Sequence, residues 1–413
     1  MLLPGVSSDS SPAASPVPLI QWAEDGTARS ALWRSERGAL PPKRVVLADD
    51  TLSADSAYRL VCEGTGLLWR GDFQNARQMV QALARRVDKP PKDSKQAKVE
   101  RKKAAHSESV GVPAGQAFHL HRQAQSQRAR VLGMVLIEFG ADYGVALRRA
   151  PDAKQACAEA WGVASPSDGP SVASLRELLG VVSAHEWRKK GVEIPALGKA
   201  PNNRIHPHYG VFSPVRGEYV DLVATAPLPA RPASKFVAFD IGTGTGVLAA
   251  VLALRDIDQI VATDQDPRAL ACAKENLQRL HLPNPVKVMQ ADLFPEGLAS
   301  VIVCNPPWLP ARPGSPLEGA VYDEGSRMLL GFIKGLAAHL APGGEGWLIL
   351  SDFAEHLGLR TRAELLDAIK AGGLKIVGRM DVKPEHPKVL EMTDPLHVAR
   401  AAEVTSLWRL GAA

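Results

Sequence analysis

Apolar positions along the chain follow two rhythms. From Phe236 onward, short unbroken apolar runs alternate with longer stretches of helical spacing, whereas before Pro201 helical spacing dominates. Phe236–Phe239, Ile260–Thr263, Val286–Phe294, Val301–Cys304, Gly346–Leu350, Leu374–Met380 and Val404–Leu410 read as strands. Val247–Leu254, the stretch opened by Asp266-Pro267, Ser326–Leu340 and Thr361–Lys370 read as the helices between them. Strands apolar on both faces belong to a parallel sheet covered on both sides. Their alternation with helices predicts a doubly wound α/β domain with right-handed crossovers.

The first half predicts a mainly helical module. Ser53–Glu63 carries Ala54, Ala57, Leu60 and Val61 at helical spacing, and Asp72 caps a second helix through Met79, Val80, Leu83 and Val87. Gln116–Phe139, Pro151–Trp161 and Ser171–Lys190 read as further helices, with Ser174 and Glu177 at capping-box spacing. Leu19–Leu40 is a helix or a strand carrying Trp22 and Trp33. The chain therefore divides into a Ser/Pro/Ala-rich disordered tail over 1–18, a mainly helical region over 19–87, a flexible linker over 88–115, a helical region over 116–200 and the α/β domain over 201–413.

Charge changes this picture at one place. Lys89–Lys103 holds seven positive residues against Asp93 and Glu100, a net +5, and the whole chain also nets +5. The basic pI is thus local to the linker, where a tethered cationic segment suits a phosphate backbone such as that of RNA or the ribosome, or serves as a solvated spacer. Four cysteines stand far apart with no CxxC pair, which excludes a zinc ribbon or disulfide scaffold and fits a reducing cytoplasm. His119 and His121 lie two apart and do not share a helical face, so no metal site is expected. No run of 18 apolar residues points to a membrane span.

Candidate chemistry gathers at the strand ends. Asp240 ends the first apolar run, and Gly242, Gly244 and Gly246 follow, alternating with Thr243 and Thr245. Glycines so spaced let the backbone turn tightly and approach a ligand. Asp264 ends the next run, 18 residues past Gly246, near the spacing of a ribose-binding carboxylate. Asp292 lies in the polar turn that ends the third run. The fourth run leads into Asn305-Pro306-Pro307-Trp308. Two prolines fix that backbone, while an amide side chain, a fixed carbonyl and an indole face together suit a planar NH2 group. A Pro/Gly-rich loop, Leu309–Gly325, follows as a substrate-side loop.

These stretches resemble successive motifs of class I S-adenosylmethionine-dependent methyltransferases, and Asn305–Trp308 is similar to the Asn-Pro-Pro-aromatic motif of amino- and amide-nitrogen methyltransferases, with Trp308 where tyrosine is usual. His208–Val223, HYGVFSPVRGEYVDLV, resembles the substrate-side segment of release-factor glutamine methyltransferases, and its GVFS part is similar to small-domain ribosomal RNA methyltransferases. The resemblance covers about Ile205–Leu410. It implies a Rossmann-like sheet of seven strands with an antiparallel last hairpin and S-adenosylmethionine as cofactor. The glycine turn and Asp240 would then face the donor, Asp264 would hold its ribose hydroxyls, and Asp292 its adenine amino group. Asn305 and the Pro306 carbonyl would orient the acceptor nitrogen, beside Pro307 and the Trp308 ring. The implied acceptor is a translation-related protein or RNA, leaning to a glutamine amide over an exocyclic base amine. Two other functions stay open on the residues alone. One is a dinucleotide-dependent dehydrogenase, in which Asn305–Trp308 has no place; the other is an inactive nucleic-acid-binding module working through Lys89–Lys103.

Overall fold

The computed structural model describes residues 18–88, 114–233, 235–315, 317–384 and 394–413. Lys89–Lys103 and, Pro18 apart, the expected tail fall outside them. The chain forms two compact units. One takes the segments up to Leu83, Val131–Asp152 and Ala164–Glu177; the other takes Ala84–Arg130, Ala153–Val163 and Leu178–Ala413, so residues between 116 and 200 contribute to both.

The first unit carries the helices expected from the sequence, including Ala54–Cys62 and the start of Phe73–Val87, together with a six-stranded sheet that helical spacing did not reveal. Its strands are β1 (Leu19–Glu24), β2 (Thr27–Trp33), β3 (Arg44–Ala48), β4 (Thr65–Trp69), β5 (Val135–Phe139) and β6 (Ser171–Ser174), in the order β1-β2-β6-β5-β4-β3. Leu19–Leu40 is a strand pair: β1 and β2 are antiparallel around Asp25-Gly26, both at positive φ, a two-residue turn of the twist that hairpins favour. Trp22 and Trp33 are buried in its core with Ile20, Leu68, Leu136 and Val172.

Two expectations are corrected here. The helix expected over Gln116–Phe139 stops at Leu132, and Val135–Phe139 is a strand between β4 and β6. A five-residue apolar run fits either period, and pairing on both edges decides it. The helix expected from Ser171 starts at Leu175, after β6. Ser174 does cap it, its Oγ accepting from the Glu177 amide at 3.1 Å.

The second unit holds a short pair, β7 (Val192–Glu193) and β8 (Arg204–Ile205), and the predicted seven-stranded sheet. The latter runs β9 (Val237–Ile241), β10 (Gln259–Asp264), β11 (Val286–Gln290), β12 (Ala299–Cys304), β13 (Leu340–Ser351), β14 (Leu374–Val382) and β15 (Thr405–Ala412), in the order β11-β10-β9-β12-β13-β15-β14. All neighbours are parallel except β15, which is antiparallel to β13 and β14. Side chains alternate between two cores: Ala238, Val301 and Val303 pack on one face, Phe239, Ile241, Ile302 and Cys304 on the other. Register puts Ile241 level with Thr263 on one side and with Cys304 on the other. Three strand ends therefore lie side by side, each followed by one of the motifs. No helix among the described residues is long and apolar enough to cross a membrane.

The antiparallel strand is pinned by charge. Glu345 on β13 is buried and accepts from Arg409 Nε and Nη2 on β15, both at 2.7 Å, and from Trp347 Nε1 at 3.1 Å. Removing the cation leaves a buried carboxylate uncompensated. Arg409→Met is expected to lower the stability of the full chain by about 3–5 kcal/mol, read as a fall in the urea midpoint at unchanged slope.

Candidate functional site

A cavity of about 570 Å³ opens at the carboxyl ends of β9, β10 and β12. Such strand ends are where α/β sheets bind ligands. Among the predicted residues, Gly242, Thr243, Gly244, Asp264, Asn305, Pro306, Pro307 and Trp308 line it. The glycine turn and the proline motif, some 60 residues apart in sequence, thus face one space.

Three predicted residues stand outside the lining. Asp240 is buried beneath the turn, where Oδ2 accepts from the Thr243 hydroxyl at 2.6 Å and the Ala249 amide at 3.0 Å. Burial raises its carboxyl to about 7. Gly246 starts helix Val247–Ala253 at φ 82°, and a Cβ there would lie 3.2 Å from the Ala273 Cα, so it serves close packing. Asp292 is exposed and engaged by Gln265 Nε2 at 2.6 Å and Arg327 Nη2 at 2.7 Å; its neighbours Ala291 and Leu293 line the cavity instead.

The glycine-turn side of the cavity is held by a few polar links. Asp264 Oδ2 accepts from the Gly244 amide and Oδ1 from the Asp266 amide, both at 3.0 Å. Burial raises the Asp264 carboxyl above its ordinary range, against these bonds, which lower it. Buried Asn276 on helix Pro267–Arg279 donates to Thr245 O at 3.1 Å and accepts from the His206 amide at 2.8 Å, tying the turn to the segment that precedes β9. These residues fit S-adenosylmethionine. No atom lies within 4 Å of where a Gly244 Cβ would stand, so backbone meets open space there. The Asp264 carboxylate keeps acceptor positions for a diol beyond its bonds to the Gly244 and Asp266 amides.

The proline-motif side of the cavity differs in detail from the expectation. Trp308 Nε1 donates to Asn305 Oδ1 at 2.9 Å, so one lone pair of the amide oxygen is used inside the motif. Arg216 lies 5.4 Å above the indole ring, and its guanidinium bonds Glu218 at 2.8 Å and buried Glu403 at 3.3 Å. Glu403 also accepts from Ser351 Oγ at 2.8 Å. Phe212, Arg216, Tyr322, Phe353, Arg400 and Glu403 all line the cavity, and none of them is among the predicted site residues. Arg216 and Phe212 sat within the stretch that resembles a substrate-side segment. Glu403 arrives from the far end of the chain, just before β15, with no local pattern to mark it.

A family model described as "Methyltransferase small domain" matches residues 202–366. The tRNA1(Val) (adenine(37)-N6)-methyltransferase of Shewanella amazonensis is 30% identical over 174 residues, covering 38% of this chain and 73% of that protein. The release factor glutamine methyltransferase of Escherichia coli is 34% identical over 119 residues, which is 28% of this chain; the chain spans only 41% of that relative's length. A solved methyltransferase structure from Pyrococcus furiosus superposes with TM-score 0.36 at 19% identity, covering 56% of this chain and 98% of that one.

Ribose hydroxyls held by Asp264 would donate to its ionised form, so donor binding there would favour the deprotonated carboxyl and lower its raised pKa. Donor affinity is therefore expected to be full where the Asp264 carboxyl is ionised and to fall as pH drops through its raised pKa. In Asp264→Ala affinity falls by about 1.5–3 kcal/mol and the pH dependence flattens. Calorimetric titration with S-adenosylmethionine from neutral pH downward checks both.

Proposed function

The chain belongs to the methyltransferase small-domain family, whose enzymes depend on S-adenosylmethionine, and we propose that it transfers the donor's methyl group to a planar amide or amino nitrogen. The observation that carries this reading is that Asn305 and Trp308 share one cavity with the glycine turn and Asp264.

When bound, S-adenosylmethionine supplies an electrophilic methyl group on a sulfonium. The rest falls to the chain. An amide or aromatic amine is a poor nucleophile because its lone pair is delocalised, so orientation matters more than proton removal. Asn305 Oδ1 has a lone pair left after the Trp308 bond and accepts one acceptor N–H; the Pro306 carbonyl accepts the other. Two N–H groups held in this way turn the nitrogen lone pair toward the donor, which is catalysis by positioning and electrostatics.

The acceptor we favour is a glutamine side chain of a translation-related protein, as in the release factor relatives, with the reaction in the cytoplasm. Arg216 over the Trp308 ring supports it, because an amide needs little free π surface. An exocyclic base amine is the second reading, favoured by Phe212, Tyr322 and Phe353 around the same cavity and by the tRNA-modifying relative. There Lys89–Lys103 would aid encounter with RNA.

Asn305→Ala is expected to bind S-adenosylmethionine almost as wild type but to transfer methyl about a hundredfold or more slowly, as after loss of a preorganised polar group. Tritiated methyl transfer into cell extract measures the rate, and protease or ribonuclease digestion of the product assigns the acceptor class. Near-normal turnover of Asn305→Ala at saturating donor and acceptor would sink the mechanism.

A further inference from the structure

Helix Ala114–Leu132 lies far ahead of the family match, which begins at residue 202. Its residues up to Arg130 nevertheless belong to the second unit. Phe118 is fully buried in a cluster with Leu309, Phe353, Leu357 and Leu396, against which Val321 and Tyr322 also pack. One turn on, the Arg122 guanidinium lies 4.0 Å from the centre of the Tyr322 ring. Its Nη2 donates to the Arg312 carbonyl at 2.9 Å and stands 3.6 Å from Glu318 Oε2. One side chain thus grips the acceptor-side loop at three points.

The loop is coupled to the proposed reacting end of the cavity through backbone. Leu309 and Tyr322 form a β-bridge: the Leu309 amide donates to Val321 O at 3.1 Å and the Asp323 amide to Leu309 O at 2.8 Å. Leu309, Val321 and Tyr322 line the cavity, and Leu309 directly follows Trp308. A bridge this short has few bonds of its own, so its register depends on what packs behind it. Behind Tyr322 that is the planar guanidinium of Arg122, half-buried and stacked on the ring.

We propose that Arg122 is a positioning residue for the acceptor. From a helix outside the family match it clamps the Leu309–Tyr322 bridge, and so fixes where Trp308 and Asn305 meet the substrate. The proposal rests on the functional reading above only in taking this end of the cavity as the acceptor's. It assigns part of acceptor selection to a segment that a domain cut at residue 201 would discard.

The test uses the full chain with Arg122→Ala and Arg122→Lys. Hydrogen exchange across residues 309–323 is expected to quicken about tenfold in Arg122→Ala, the scale of losing one partly buried cation–π contact. S-adenosylmethionine affinity by calorimetry should stay within about twofold, because no donor-side contact changes. Label transfer into a cell extract should fall at low extract concentration and recover at high, a KM effect that a generally weakened fold would not give. Arg122→Lys should restore protection only in part, since an ammonium has no planar face for the Tyr322 ring. Unchanged exchange over 309–323 in Arg122→Ala, with donor binding intact, overturns the proposal. So does a loss of transfer that extract concentration does not recover. If Arg122→Ala does not fold, Tyr322→Leu removes the same stacking from the loop side. If the wild-type chain transfers no label, the methyl-transfer reading fails, and the exchange result alone decides whether Arg122 holds the loop.

Discussion

The carboxyl of Asp240 sits under the glycine turn with one oxygen accepting from both the Thr243 hydroxyl and the Ala249 amide. That atom joins the end of β9, the turn and the first turn of helix Val247–Ala253 into one rigid corner. Burial raises the carboxyl to about 7, which is the cost of placing it there. The cost is tolerated because the corner sets the height of everything beside it. With Ile241 in register with Thr263 and Cys304, the turn, Asp264 and Asn305 emerge at one level. Asp264 then locks across the turn by accepting from the Gly244 amide, and Asn276 ties Thr245 back to His206.

The acceptor end is assembled differently. Its backbone is stiffened by Pro306 and Pro307, but its side chains come from all over the second unit. Trp308 packs against both cores of the sheet and bonds Asn305, Arg216 covers the ring, and Glu403 and Ser351 anchor the arginine. Each link is ordinary in strength. In series they hold the Asn305 amide in place, as the proposed nitrogen acceptor would require and a flexible loop would not supply.

How much of this was legible in the sequence follows from the range of the interactions. Strands β9 to β15 showed because a parallel sheet buries both faces and leaves continuous apolar runs, and Gly242, Gly244, Asp264 and Asn305 showed because strand-end motifs carry fixed local spacing. The first unit's sheet did not show. Val135–Phe139 is five residues of a kind that helix and strand share, and only its neighbours β4 and β6 settle it. Asp240 looked like a ligand because it adjoins the glycines, and register turns it inward; Asp292 was placed by its turn, and Arg327 draws its side chain outward. Arg122 and Glu403 had no signal at all, since their partners lie roughly 190 residues away for Arg122–Arg312 and 187 for Glu403–Arg216.

The proposed chemistry places a planar nitrogen in line with the methyl donor. The position of the methyl group in the product tests it most directly. Extract labelled by the wild-type chain with isotopic S-adenosylmethionine is hydrolysed to amino acids and nucleosides and read by mass spectrometry. Label is expected on nitrogen, as N-methylated glutamine or an N-methylated base. Label on a carboxylate oxygen, a thiol or a carbon atom would contradict it.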